Sequence, residues 1–235
     1  MSPYIIEFAG MPNTGKTSCI DLVADLYRRH GHTVRVEAER AQVCPFLPTY
    51  RHRFATWMAD QAARTVARAT EVEDQDTLVL VDRGIFDSIA FLDLLCVQGR
   101  VNEEERDKLL DVSGIARHIP QVGLVLLFMA KPATCEARDV LTRMFGLPGT
   151  ITNLATLESL ATAYRRTLVG FEERFENIRL VDTDDADPAD VLRQVLSYIQ
   201  LRVAGPTEQE APPVAPVRES GDISERGHPR SDLES

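Results

Sequence analysis

Apolar residues form five short continuous runs, separated by longer segments in which they recur every three or four positions. The runs predict β-strands: YIIEFA at 4–9, TVRVEAE at 33–39, TLVLVD at 77–82, VGLVLLFM at 122–129 and IRLVD at 178–182. The runs at 77–82 and 122–129 lack the polar alternation of a half-exposed strand. We therefore expect both faces of these two strands to be covered.

The segments between the runs predict helices over 16–29, 50–73, 85–98 and 102–117, and a last helix from about 188. Strands that alternate with helices are typical of an α/β fold, here in three layers. We expect about five parallel strands with helices on both faces. Ligands of such sheets bind beyond the carboxyl ends of the strands, so site residues are expected there and in the long segment 130–177.

Length and composition favour one globular domain followed by a tail. The chain has 235 residues, of which 44% are hydrophobic, and is long enough to bury a sizeable core. The last stretch, 204–235, contains five prolines, no aromatic residue and more acidic than basic residues. We therefore predict a domain over 1–203 and a disordered acidic tail over 204–235.

Charge and cysteine content narrow the class of partner. The net charge of −10 disfavours a long nucleic-acid footprint, which needs a basic surface. The longest apolar run, 122–130, is too short to cross a bilayer, so no membrane partner is expected. The cysteines lie far apart, which argues against a zinc site or disulfide scaffold and suits a reducing cytoplasm. They are Cys19, Cys44, Cys96 and Cys135.

A phosphate-loop motif directly follows the first strand. Residues 10–17, GMPNTGKT, match G-x-x-x-x-G-K-T, and a helix is expected to begin at the lysine. In such loops backbone N–H groups surround phosphate oxygens, and the helix N-terminus adds partial positive charge. Lys16 would contact the terminal phosphates and the Thr17 hydroxyl would bind Mg²⁺. The expected nucleotide-binding residues are Gly10, Met11, Pro12, Asn13, Thr14, Gly15, Lys16, Thr17 and Ser18.

The remaining motifs favour phosphoryl transfer over the other phosphate-loop functions. The sequence has no N-K-x-D or T-K-x-D stretch to read guanine, which disfavours a GTP switch. Asp82 ends the third strand and is followed by Arg83, where a hydrolytic ATPase more often has a second carboxylate. Asp82 would hold Mg²⁺ through water and Arg83 would orient the acceptor. A helix-capping aspartate and a structural ion pair are the alternatives.

Several stretches resemble known kinases. VDRGIFDSIAFLDLL at 81–95 resembles the D-R-x and E-R-S stretches of thymidylate kinases and deoxynucleoside kinases. TWMADQAARTV at 56–66 resembles the acceptor-binding helix of thymidylate kinases, and EARDVLTR at 136–143 resembles the lid helix of both families. The segments ERAQVCPF, DRGIFDS and LTRMFGLPGTITN are also similar to a little-characterised group of kinase-like P-loop proteins.

This resemblance extends over roughly 4–200. It implies a P-loop NTPase fold with a helical lid at about 132–155, and a phosphotransferase that uses ATP and Mg²⁺. The stretch VEAERA at 36–41 lies where deoxynucleoside kinases carry E-P and thymidylate kinases carry R-E-P-G. Whether the acceptor is a nucleoside or a nucleotide therefore stays open. Whether the protein forms a homodimer also stays open.

Two carboxylates of the second strand are candidates for acceptor chemistry. Glu37 and Glu39 alternate with apolar residues and would point the same way if the strand stays extended. Glu39 lies nearer the strand's exit and resembles the catalytic carboxylate of deoxynucleoside kinases, with Glu37 as an acceptor-binding residue. Which of the two is the catalytic carboxylate stays open. Alternatively, neither is catalytic and both lie at a solvent-exposed strand end.

The helix at 50–73 and the lid supply the other candidates. Trp57 and Gln61 lie one helical turn apart. Trp57 would stack on a flat acceptor and Gln61 would hydrogen-bond to it, with positive charge from Arg53. Alternatively, Trp57 packs at the rim of the core. From the lid, Arg138 and Arg143 would supply transition-state charge. Five residues apart, they lie about 140° apart around an ideal helix and cannot share one narrow face.

Three functions remain at this stage. The first is an ATP-dependent kinase of a nucleoside or nucleotide. The second is a kinase acting on a modified base or end within a polynucleotide, which the arginines over 51–68 keep open. The third is a nucleotide-binding regulatory protein or ATPase without a small acceptor, whose tail recruits a partner.

Overall fold

The computed structural model describes residues 3–46, 51–72, 74, 76–144, 153–175 and 177–203, with backbone alone at Gln42, Arg51 and 140–144. The strands are β1 (Tyr4–Gly10), β2 (Val34–Glu37), β3 (Leu78–Asp82), β4 (Val122–Met129) and β5 (Ile178–Asp182). The helices are α1 (Lys16–Arg29), α2 (Arg51–Thr70), α3 (Ile85–Val97), α4 (Glu103–Ser113), α5 (Pro132–Met144), α6 (Leu154–Phe171) and α7 (Pro188–Gln200). Short 3-10 helices occupy Ala41–Val43 and Ile115–Gln121.

The five strands form one parallel sheet in the order β2-β3-β1-β4-β5. The central strand β1 pairs with β3 on one side and with β4 on the other. In this register Phe8 lies opposite Asp82. The phosphate loop, which follows β1, therefore begins beside the carboxyl end of β3.

Alternate residues of the strands pack into two hydrophobic cores on opposite faces of the sheet. On one face Phe8, Leu80 and Leu126 pack with side chains of α1 and α7. On the other, Val79 and Leu127 pack with side chains of α2, α3 and α6. The predicted three-layer α/β fold is confirmed, and β3 and β4 are covered on both faces as their sequences indicate.

Two boundaries differ from the predictions. Strand β2 ends at Glu37, so Glu39 lies beyond it. Helix α4 begins at a capping box made by Asn102 and Glu105, but it ends at Ser113, since Gly114 turns into the left-handed region at φ 64°. Of the predicted lid at about 132–155, residues 145–152 lie outside the described residues. No helix in the described part of the chain is long and apolar enough to cross a membrane.

Candidate active site

The phosphate loop connects β1 to α1 as its sequence predicts. Gly10 and Gly15 have φ values of 125° and 81°, where glycine is favoured. A Cβ on Gly10 would lie 2.0 Å from the carbonyl oxygen of Phe128, so only glycine fits where the loop passes β4. The loop is fixed there because Met11 N–H donates to the same carbonyl oxygen at 2.9 Å.

The ammonium of Lys16 lies inside this loop. Its Nζ donates to the carbonyl oxygens of Gly10 at 3.1 Å and Met11 at 2.5 Å, and to Thr14 Oγ1 at 3.3 Å. Burial, with the positive charge of Arg83, lowers the pKa of Lys16 to about 7. The ammonium thus lies in the space that anion-binding loops offer to phosphate oxygens.

Thr17 and Asp82 form a pair that fits a divalent cation. Thr17 Oγ1 donates to Asp82 Oδ2 at 2.7 Å. Asp82 is 5% exposed, and its other oxygen, Oδ1, is buried without a hydrogen-bond partner among the described residues. An unpartnered buried carboxylate oxygen is costly unless an ion or water binds it. Carboxylate and hydroxyl oxygens suit Mg²⁺, which keeps several waters and takes phosphates as further ligands.

Arg83, at the end of β3, lies between two carboxylates. Its Nη1 donates to Asp87 Oδ2 at 2.8 Å, and its Nε lies 3.1 Å from Glu39 Oε1. Burial disfavours the charged guanidinium, but the carboxylates outweigh this and raise the pKa of Arg83 well above its ordinary value. The Nε–H is buried and no described residue accepts its hydrogen. Arg83 is therefore a cation fixed between Asp87 and Glu39, and its Nε–H has no well-aligned acceptor among the described residues.

The structure separates the two candidate carboxylates of the second strand. Glu37 accepts from Arg35 Nε at 2.7 Å and from Arg40 Nη2 at 3.1 Å. Glu39 follows the strand's end and pairs with Arg83, and its side chain is 37% exposed. The two do not point to a common group. Glu39 alone lies with Arg83 at the carboxyl edge.

Helix α2 presents its candidate residues to two separate cavities. Gln61 lines a small cavity of about 10 Å³ together with Met58, Thr65 and Arg83. Trp57 and Arg53 instead line an open groove of about 530 Å³, whose other walls include Phe46 and Val112. The structure therefore brings Gln61 and Arg83 together and places Trp57 and Arg53 elsewhere.

Arg138, on α5, lies against the phosphate loop and the loop after β5. Its Nη2 donates to the carbonyl oxygens of Thr183 at 2.6 Å and Asp184 at 3.1 Å, and its Nη1 lies 3.5 Å from the carbonyl oxygen of Asn13. Next to it, the buried Asp139 accepts from Asn13 Nδ2 at 3.3 Å. The side chain of Arg143 lies outside the described residues, so its predicted lid role stays a prediction.

Charged residues of α6 and of the loop after β5 make structural contacts. Arg166 pairs with Asp93 and Glu103 at the α3–α4 side of the molecule. In the loop after β5, Asp184 accepts from Lys131 N–H, and Asp187 caps α7 by accepting from Ala189 N–H at 2.7 Å. These residues therefore fix local structure.

Glu7, a buried carboxylate that the sequence analysis did not single out, fixes the start of α3. Its Oε1 accepts from the N–H groups of Gly84 at 3.0 Å and Asp87 at 2.9 Å, and its Oε2 from that of Phe86 at 3.0 Å. A Cβ on Gly84 would lie 2.8 Å from Glu7 Oε2. The signal in the sequence was a single charged residue within the apolar run YIIEFA.

Asp87 and Tyr164 are the other two residues that sequence reasoning missed. Asp87 Oδ1 accepts from Gly10 N–H at 3.0 Å and from the Tyr164 hydroxyl at 2.5 Å. Asp87 follows Arg83 by four residues in an apolar helix, which is a detectable signal. Nothing in the sequence marks Tyr164, which comes from α6.

Comparison with known proteins identifies the fold. No family model and no curated protein match the sequence. The structure is similar to deoxyadenosine kinase from M. mycoides with products dCMP and a flexible dCDP bound, at TM-score 0.63, and to the same enzyme with bound dCTP, at TM-score 0.60. Each is 13% identical and covers 84% of this chain and 99% of its own. The chain therefore has the fold of these deoxyadenosine kinases, as expected from its phosphate loop and its Asp82-Arg83 stretch.

Proposed function

We propose that the protein is a phosphotransferase that moves the terminal phosphoryl group of ATP to a nucleoside or nucleotide. One observation carries this proposal. At a single edge of the sheet, a phosphate loop containing Lys16 adjoins the Thr17–Asp82 pair and a buried arginine, Arg83, that faces Glu39. Phosphoryl transfer depends on charge neutralisation and in-line positioning, and this arrangement supplies both.

Each residue has a part in the transfer. Lys16 and the loop N–H groups bind the phosphates of the donor, and Arg138, beside Asn13, adds positive charge from the lid. Thr17 and Asp82 would hold Mg²⁺, which neutralises charge on the donor phosphates when bound. Glu39 accepts the proton of an acceptor hydroxyl, while the guanidinium of Arg83, paired with Glu39, orients the acceptor.

The cavity beside Arg83 is where we place the acceptor. Gln61 there offers both a donor and an acceptor to the edge of a base. The similar deoxyadenosine kinase structures hold dCMP, dCDP and dCTP, which supports a nucleoside-type acceptor. At about 10 Å³ the cavity is smaller than a nucleoside, so acceptor binding must widen it.

An ADP-release assay across nucleosides and nucleoside monophosphates tests the proposal. At least one acceptor is expected to raise turnover clearly above the rate with water alone, and the increase should vanish in Lys16→Ala. ATP binding without any acceptor-dependent turnover would instead favour a regulatory nucleotide-binding protein. Turnover that depends on DNA or RNA, and weakens with salt, would favour a polynucleotide kinase.

A further inference from the structure

Asp87 joins the donor loop to the acceptor arginine. Its Oδ1 accepts from the backbone N–H of Gly10, the first residue of the phosphate loop, at 3.0 Å. Its Oδ2 accepts from Arg83 Nη1 at 2.8 Å. Asp87 is 2% exposed, and the oxygens of one rigid carboxylate thus set the distance between the loop and the guanidinium.

Tyr164 holds this carboxylate from the opposite side. Its hydroxyl lies 2.5 Å from Asp87 Oδ1 and 2.9 Å from the carbonyl oxygen of Gly10. The tyrosine is fully buried, and burial together with the charge of Asp87 raises its pKa well above the ordinary value. It therefore stays a neutral hydrogen-bond donor. It lies on α6, the helix that follows the lid segment.

We propose that Asp87 and Tyr164 are positioning residues that align Arg83, and with it the acceptor, to the donor loop. This inference rests on the proposed phosphotransferase function. Neither residue touches the reacting groups. Both act by fixing the guanidinium that does, since Arg83 Nη1 donates to Asp87 at 2.8 Å and lies 3.4 Å from the Tyr164 hydroxyl.

The backbone geometry explains why such fixation is needed. Arg83 has φ of 61°, in the left-handed region that non-glycine residues rarely adopt. Without Asp87, the charge partner that remains is Glu39, whose side chain is partly exposed. The guanidinium would then be held only by Glu39 and by the hydrogen bond from Nη1 to the carbonyl oxygen of Gly10 at 3.2 Å. A displacement of about 1 Å costs as much as a hundredfold in rate.

A second cluster on the same two helices provides a matched control. Asp93 is fully buried on α3, accepts from Arg106 Nε at 2.9 Å, and accepts from the Thr167 hydroxyl of α6 at 2.6 Å. Like Asp87, it is a buried carboxylate bound by a hydroxyl and by arginine, here by two arginines, Arg106 and Arg166. It lies six residues further along, about 9 Å along the helix. None of its contacts reaches the phosphate loop or Arg83.

The kinetic test compares Asp87→Asn with Asp93→Asn. The substitution at Asp87 keeps an oxygen for Gly10 N–H but places an amide NH₂ against Arg83. We expect kcat/KM for the acceptor to fall roughly ten- to a hundredfold, while the Kd of ATP changes less than threefold. Asp93→Asn should lower the melting temperature but should leave both the acceptor kcat/KM and the Kd of ATP nearly unchanged. Equal kinetic effects of both variants, or unchanged acceptor kinetics in Asp87→Asn, would overturn the inference.

Tyr164→Phe and Thr167→Val form a second pair, which decides the question if Asp87→Asn does not fold. Tyr164→Phe should lower acceptor kcat/KM several-fold, in the same direction as Asp87→Asn, and Thr167→Val should not. Identical acceptor kinetics in the two hydroxyl variants would contradict the positioning role.

An NMR readout separates this inference from the proposed function. The Nε–H resonance of Arg83, assigned by its loss in Arg83→Lys, should be sharp in the wild type and in Asp93→Asn. It should broaden or shift in Asp87→Asn. If no acceptor supports turnover, the kinase proposal fails, yet this comparison still shows whether Asp87 fixes Arg83. An unchanged resonance in Asp87→Asn would show that it does not.

Discussion

At the carboxyl edge of the sheet, charged side chains are held by groups from neighbouring elements. Asp82 of β3 accepts from Thr17 of α1, and Arg83 pairs with Asp87 of α3. These contacts leave two buried polar atoms without a hydrogen-bond partner in the described residues, Asp82 Oδ1 and Arg83 Nε. Asp82 Oδ1 can bind a cation or accept a hydrogen bond, whereas Arg83 Nε can only donate one. The two atoms therefore suit different ligands.

Asp82→Asn tests the cation site. The amide keeps the shape of the carboxylate but loses its charge, so Mg²⁺ and its waters should bind more weakly. We expect the Mg²⁺ concentration for half-maximal turnover to rise roughly ten- to a hundredfold, the usual effect of losing an outer-sphere partner. The control is Asp25→Asn, which removes an exposed carboxylate of α1. An unchanged Mg²⁺ requirement in Asp82→Asn would contradict the assignment.

Glu7 makes the stability of the fold depend on pH. Burial raises its pKa from 4.5 to about 7, although three N–H groups of α3 oppose the shift. The folded protein therefore binds this proton more tightly than the unfolded chain. The resulting stabilisation is complete below pH 4.5 and is lost as pH rises through about 7. Its size is on the order of 3 kcal/mol.

Urea denaturation at several pH values measures this effect. Between pH 4.5 and 7 the free energy of unfolding of Glu7→Gln should fall less than that of the wild type, since the variant has no carboxyl at this position. Glu158→Gln, which changes an exposed glutamate, is the control. Parallel curves for Glu7→Gln and the wild type would show that Glu7 does not titrate in this range.

At the scale of elements, α2 lines two separate cavities. Gln61 lies with Arg83, while Trp57 lies with Phe46 and Val112. We predict that Gln61→Ala raises the acceptor KM roughly fivefold, the value of one hydrogen bond of about 1 kcal/mol. Trp57→Phe should leave it nearly unchanged. A larger effect at Trp57 than at Gln61 would place the acceptor in the groove instead.

The elements themselves follow from the sequence because their periodicity is local. Strand β4 and the start of α7 lie where the apolar pattern predicts them. The buried face of α2 is less easily predicted. Ala62, Thr65 and Ala69 are buried, whereas the larger Phe54 and Met58 are only half-buried. Small alanines such as Ala59 are fully buried on this helix, and a pattern weighted by large apolar residues overlooks them.

The site was predictable where its residues are adjacent in sequence. The phosphate loop and Asp82-Arg83 are contiguous motifs, so their chemistry can be inferred from the sequence. The contact of Asp87 with Gly10 joins residues 77 positions apart, and that of Tyr164 with Gly10 joins residues 154 apart. Such contacts depend on strand order and on which helix packs beside which strand, and neither is encoded in local periodicity.

At the scale of the whole molecule, the central position of β1 places the phosphate loop beside Asp82 and Arg83 at the end of β3. Its loop lies between β3, which ends in Asp82, and β4, whose Phe128 holds the loop's first turn. The residues proposed for donor and acceptor binding thus lie at the carboxyl ends of neighbouring strands of one sheet. The tail over 204–235 contributes no described residue to this site.

Removing residues 204–235 tests whether catalysis needs the tail. We predict that kcat, the acceptor KM and the melting temperature stay within experimental error of the full chain, because the contacts that form the site lie before residue 204. If truncation abolished function while ATP affinity survived, the regulatory alternative would be favoured over the kinase.

The most direct measurement follows the label of [γ-³²P]ATP in the presence of nucleosides and nucleoside monophosphates. The kinase account predicts that the wild type transfers label to an acceptor, separable by chromatography. It also predicts that Lys16→Ala transfers none while keeping the wild-type circular dichroism spectrum. Label found only in inorganic phosphate, or full transfer by Lys16→Ala, would contradict it.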